Sequence, residues 1–134
     1  MPLQLYLAVT AGGALGTAAR YFISGLVANQ FGATFPWGTL FVNITGSFII
    51  GFFASLTAPD GRIFVSGTTR QFVMSGICGG YTTFSSFSLQ TLNLIRDDEW
   101  LYAGANVTAS VLLCLFFVWL GHIAAGAVNQ LKGS

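Results

Sequence analysis

Between Thr39 and Ala58 the chain carries no charged side chain, and the same holds from Phe72 to Ile95 and from Leu101 to Val128. Leu3 to Phe31 is also apolar, apart from Arg20. A helix rises 1.5 Å per residue, so about 20 mostly apolar residues cross a hydrocarbon core of about 30 Å. The pattern predicts four transmembrane helices, over 3-31, 39-58, 72-95 and 101-128, in one domain spanning 1-134. The connectors are short and hold most of the charge: Asn29 to Trp37 with Pro36, Pro59-Asp60-Gly61-Arg62, and Arg96-Asp97-Asp98-Glu99-Trp100. Only 7% of residues are charged, against roughly 25% in soluble domains, so the expected solvent is the lipid bilayer. The expected fold class is an all-α integral membrane protein, multi-pass in the cell inner (plasma) membrane.

Five basic and four acidic residues are too few to neutralise a nucleic acid backbone. No Lys or Arg precedes Arg20, so the first span is read as retained and not as a cleaved signal. Cys78 and Cys114 lie in apolar runs and behave as small hydrophobes. With four spans, Arg62, Arg70 and Lys132 share one side and Arg20 and Arg96 the other, three against two. Such a split hardly orients a chain. It is compatible with one orientation, and also with both, which permits an antiparallel, dual-topology homodimer.

Polar residues inside the spans carry the remaining information. Thr39, Asn43 and Ser47 follow at i, i+4 spacing on one face of the second span, as do Asn106 and Ser110 on the fourth. Such groups serve either as interhelical hydrogen bonds or as uncharged donors along a wet path; a carboxamide such as Asn43 needs several partners, which suits both roles. In the third span, Gly79-Gly80-Tyr81-Thr82-Thr83 is poor for a continuous helix and predicts a break at mid-membrane. Unwound carbonyls at such a break can coordinate a cation. Phe84 and Phe87 follow at i, i+3, a spacing that packing alone also explains. Gly12 and Gly16, and Gly76 and Gly80, form small-residue faces for close helix contact. Arg20 either snorkels to an interface or lends positive potential to an aqueous mouth, and the isolated His122 is read as structural.

Asp60, Asp97, Asp98 and Glu99 all lie outside the spans, so proton coupling and charge neutralisation of a cationic drug lack a carboxylate. A small dual-topology multidrug transporter is disfavoured on that ground. A non-transporting membrane assembly protein gives no reason for the glycine break or the Asn43 stripe. No nucleophile with its base, phosphate loop or metal-ligand cluster marks an enzyme.

Gly12-Gly13-Ala14-Leu15-Gly16 with Arg20, Trp37-Gly38-Thr39-Leu40 with Asn43, and Gly79-Gly80-Tyr81-Thr82-Thr83-Phe84-Ser85-Ser86-Phe87-Ser88 together resemble the Fluc (CrcB) family of fluoride channels across essentially the whole chain. The resemblance implies four-helix subunits, a broken third helix, a dual-topology dimer with two pores, passive fluoride export that protects the cell, and a structural sodium ion at the dimer two-fold axis. It further implies that Asn43, Phe84 and Phe87 line the fluoride pore, with Thr39, Asn106 and Ser110 as further polar pore residues. The fourth-helix positions are often hydroxyls in relatives, and the asparagine at 106 departs from that. Gly79 and Thr82 match the positions whose backbone carbonyls hold sodium, and Arg20 matches a first-helix arginine expected at the vestibule.

Overall fold

The computed structural model describes residues 2–132, except the side chain of Lys132. Helix α1 runs Leu3–Phe31 and ends at Gly32, whose φ of 88° lies where a Cβ is disfavoured and whose N–H reaches Ala28 O at 2.8 Å. Helix α2, Trp37–Leu56, starts directly after Pro36. The third helical rod comes in pieces: α3, Gly67–Gln71, capped by Ser66 Oγ accepting from Thr69 N; a π-helical stretch, Phe72–Cys78; and α4, Gly79–Tyr81. After two extended residues α5 runs Phe84–Arg96, and α6 runs Trp100–Lys132. No strand occurs among the described residues.

The fold is therefore all-helical, with four rods. Among the described residues, α2 and α6 alone combine the length and apolarity of a membrane span, with mean hydropathies of 1.7 and 2.3. Sequence reading expects four such spans. The difference has two causes: Thr10, Gly12, Gly13, Gly16, Thr17 and Arg20 dilute α1, and the break leaves no single long piece in the third rod. Helix boundaries also differ: α2 runs from Trp37 to Leu56 where 39-58 is expected, the third rod begins at Gly67 and not at 72, and α6 continues past 128 to Lys132.

Glycines set the distances between rods. A methyl on Gly51 would strike Val118 O and one on Gly121 would strike Phe48 O, so the main chains of α2 and α6 are nearly in contact. A Cβ on Gly12 would come 2.5 Å from Phe72 O and 3.0 Å from Gly76 Cα, and one on Gly80 would come 2.6 Å from Gly13 O. The two small-residue faces read from the sequence thus meet each other within the one chain. Arg70 closes the end of α2, donating from Nη2 to Ala54 O at 2.9 Å and from Nε to Thr57 Oγ1 at 3.2 Å, where a cation complements the helix C-terminus. At the opposite end of α2, Phe35 packs on Trp37 and meets Tyr102 edge-on, ring centroids 4.7 and 5.8 Å apart. Large apolar side chains face outward along the rods, including Tyr21, Phe22, Leu101, Leu112 and Leu115. An outward apolar surface of this extent suits lipid or a second subunit and not water.

Candidate functional site

The break in the third rod is built by side chains that replace helical hydrogen bonds. In a continuous helix Thr83 N–H would donate to Gly79 O. Here it donates to Asn43 Oδ1 at 2.7 Å, and Asn43 Nδ2 returns a bond to Thr83 O at 3.0 Å. Thr82 and Thr83 are extended, with ψ of 159° and 115°. Thr83 Oγ1 then accepts from Ser86 N at 3.2 Å, an N-cap that restarts the helix as α5. Cys78 O receives both Thr82 N and Thr82 Oγ1, each at 3.0 Å. The Gly79 carbonyl consequently loses its partner on Thr83, and the Thr82 carbonyl lies between two helices, outside either ladder.

Beside the break is an open groove of about 420 Å³. It brings together six of the residues singled out in the sequence: Asn43, Gly79, Thr82, Phe84, Phe87 and Ser110. The Phe84 and Phe87 rings lie 5.4 Å apart, tilted by 48°. Phe84 is 78% exposed, so packing within the chain does not account for it. Ser47 lines the same groove but its hydroxyl donates to Asn43 O at 2.7 Å, tying it to its own helix. Uncommitted donors remain: Asn43 Nδ2 carries two hydrogens and Thr83 O takes one.

The other singled-out residues lie elsewhere. Thr39 is buried and borders a second cavity of about 710 Å³, shared with Ser24 and Gln90. Asn106 is 1% exposed and joins α6 to α5, donating to Thr91 Oγ1 at 2.9 Å while its Oδ1 accepts from Ser110 Oγ at 3.4 Å. Arg20 donates from Nε to Gly80 O at 3.0 Å, directed into the protein and not out to an interface. His122 Nδ1 is 2.6 Å from Ser55 Oγ, a link from α6 to α2. Sequence reading did not single out Thr83 as the residue that organises the break. Its signal is present in Thr83-Phe84-Ser85-Ser86, a hydroxyl at N-cap followed by an α-helical run. It also passed over Tyr81, whose hydroxyl lies 2.8 Å from Thr45 Oγ1 and anchors the end of α4 to α2.

Apolar helices around an interrupted one, with uncharged donors and unpaired carbonyls at the interruption, are the features of a small helical membrane protein built to handle ions. The chain belongs to the CrcB-like family (CrcB-like protein, Camphor Resistance), whose model matches residues 7–122. It is 64% identical to a protein of Opitutus terrae over 132 residues, covering 98% of this chain and 100% of that one. Proteins of Rhodospirillum rubrum and Methylocella silvestris are 60% and 57% identical, over 93% and 96% of this chain and 97% and 98% of theirs. All three bear the name fluoride-specific ion channel FluC.

Proposed function

We propose that this protein is a fluoride-specific channel, a passive conductor and not an enzyme, that exports fluoride and protects the cell from it. The observation that carries this reading is the groove at the break, where Asn43, Phe84, Phe87 and Ser110 converge in a family whose relatives are named for fluoride. Fluoride is small and tightly hydrated, so a pore must replace its water with close donors. A fixed cation in the narrow path would hold the ion too strongly for conduction. The carboxamide of Asn43 and the hydroxyl of Thr83 donate without that trap. The positive edges of the two phenyl rings add attraction for a bare anion at no cost in fixed charge.

In this reading two copies assemble antiparallel in the plasma membrane, giving two pores. Phe84, exposed in one protomer, then meets the second subunit. The Gly79 and Thr82 carbonyls, both free of helical partners, are hard oxygen donors suited to a sodium ion. Two from each subunit would hold it at the two-fold axis, where its charge offsets repulsion between anions in adjacent pores.

Purified protein in liposomes loaded with fluoride or with chloride tests the function. Rapid fluoride efflux with little chloride efflux is expected, and equal rates for the two anions would overturn the selectivity. An accessible cysteine introduced at Asp60 tests the topology. About half of the copies should react with an impermeant reagent if both orientations insert equally. Uniform labelling from one side would sink the antiparallel assembly.

A further inference from the structure

We propose that Arg20 is a positioning residue that fixes the broken end of the third rod through the Gly80 carbonyl, and that conduction depends on this hydrogen bond more than on the arginine's charge. A helix ending inside an apolar layer leaves its last carbonyls without partners. Three of them here have distinct fates. Cys78 O is taken by Thr82, and Gly79 O is set free because Thr83 N–H turns to Asn43. Gly80 O would bond Phe84 N–H in a continuous helix, but Phe84 begins α5, and Arg20 Nε takes that role at 3.0 Å.

The reach of Arg20 depends on its own helix. Gly16, one turn earlier on the same face of α1, lies so close to the third rod that a Cβ there would strike Ile77 O and come 2.8 Å from Tyr81 N. That approach brings the Arg20 stem alongside α4 and turns its head inward. A cation at this end also complements the C-terminal dipole of the rod. The brace and the Asn43–Thr83 pair hold the two sides of the gap from different helices, α1 and α2. Together they define where Gly79 points and where Phe84 starts. The effect on conduction rests on the channel reading above; the effect on the backbone does not.

Three variants separate hydrogen bond from charge. Arg20→Gln puts an N–H donor at the same number of bonds from Cα as Arg20 Nε, without charge. Arg20→Lys keeps the charge one atom further out, and Arg20→Met keeps the length with neither. Tyr81 is the only tyrosine preceded by glycine. Carbonyl-labelled glycine combined with amide-labelled tyrosine therefore gives a single NMR correlation that reports the Gly80 carbonyl. In the folded, reconstituted fraction, Arg20→Met should move that signal upfield and cut fluoride flux about tenfold, the scale of one charge-assisted hydrogen bond. Arg20→Gln should hold the signal near the parent position and keep most of the flux. A signal unmoved in Arg20→Met overturns the proposal. So does an Arg20→Gln variant that keeps the signal but loses flux as Arg20→Met does, because charge would then be the operative property. If the parent itself carries no fluoride, the channel reading fails while the carbonyl signal still decides the backbone role.

Discussion

Asn43 and Thr83 are joined through both ends of one carboxamide: Oδ1 accepts from Thr83 N at 2.7 Å and Nδ2 donates to Thr83 O at 3.0 Å. The pair is the reason a helix can stop and restart at this depth. Without Asn43 the Thr83 amide would stand unpaired in a part-buried site, at about 1–3 kcal/mol, and the Thr83 carbonyl would keep only the first bond of α5. The remaining Nδ2 hydrogen is free for the groove, so a single side chain shapes the backbone and offers a donor.

Replacing Asn43 by Asp keeps an acceptor for Thr83 N–H, removes the donor to Thr83 O and fixes a negative charge in the anion path. Fluoride efflux should fall at least about tenfold while the variant still elutes at the parental volume. Asn43→Leu removes both hydrogen bonds and should lower the unfolding midpoint as well. An Asn43→Asp variant that passes fluoride at the parental rate would remove Asn43 from the pathway.

Phe84 and Phe87 distinguish packing from electrostatics. Phe→Ile keeps much of the apolar volume and removes the ring quadrupole. Fluoride efflux should drop in either variant with stability changed by less than about 1.5 kcal/mol, as for a tolerated hydrophobic swap. Loss of stability without specific loss of transport would reassign both rings to packing.

Much of this was legible in the residues, and the exceptions share a cause. The absence of charge from Thr39 to Ala58 and from Leu101 to Val128 marks helices that the structure contains as α2 and α6. The glycine run marks the interruption after Tyr81. What periodicity does not reveal is which partner each polar group meets. Thr39 and Asn43 share a helical stripe, yet a turn of axial rise separates them and they border different cavities. Asn106 looks like a pore residue by position, whereas tertiary packing turns it inward to Thr91. The inward direction of Arg20 depends on how closely Gly16 lets α1 approach, a distance that no local pattern encodes.

The Asn106–Thr91 bond gives a prediction of its own. Asn106→Ala leaves Thr91 Oγ1 and Ser110 Oγ without that partner and opens a small cavity between α5 and α6, for a loss of about 1–3 kcal/mol. Thr91→Ala should destabilise by a similar amount, and the double variant by less than the sum, since the two share one interaction. Detergent-solubilised unfolding curves of the four proteins measure it. Strict additivity would show that the contact contributes nothing.

Gly79, Gly80 and Thr82 separate the sodium proposal from simple helix packing. A Cβ at Gly79 lies 3.8 Å from Met74 O, ordinary contact, so Gly79→Ala fits the fold. A Cβ at Gly80 would be 2.6 Å from Gly13 O and 3.1 Å from Thr17 Oγ1, so Gly80→Ala must push α1 away. Alanine also favours helix over glycine by about 1 kcal/mol per residue, which acts against the break. Thr82→Ala removes only a side chain, the Oγ1 bond to Cys78 O included, and leaves the Thr82 carbonyl in place. If the carbonyls hold sodium, the parent protein should melt higher in sodium than in an equal concentration of N-methylglucamine. The gain would be about 2.7 kcal/mol when sodium stands at about 100 times its dissociation constant. Thr82→Ala should keep most of that sodium-specific gain, and Gly79→Ala with Gly80→Ala should lose it. Identical melting of the parent in the two cations would leave Gly79 and Thr82 without a metal to hold.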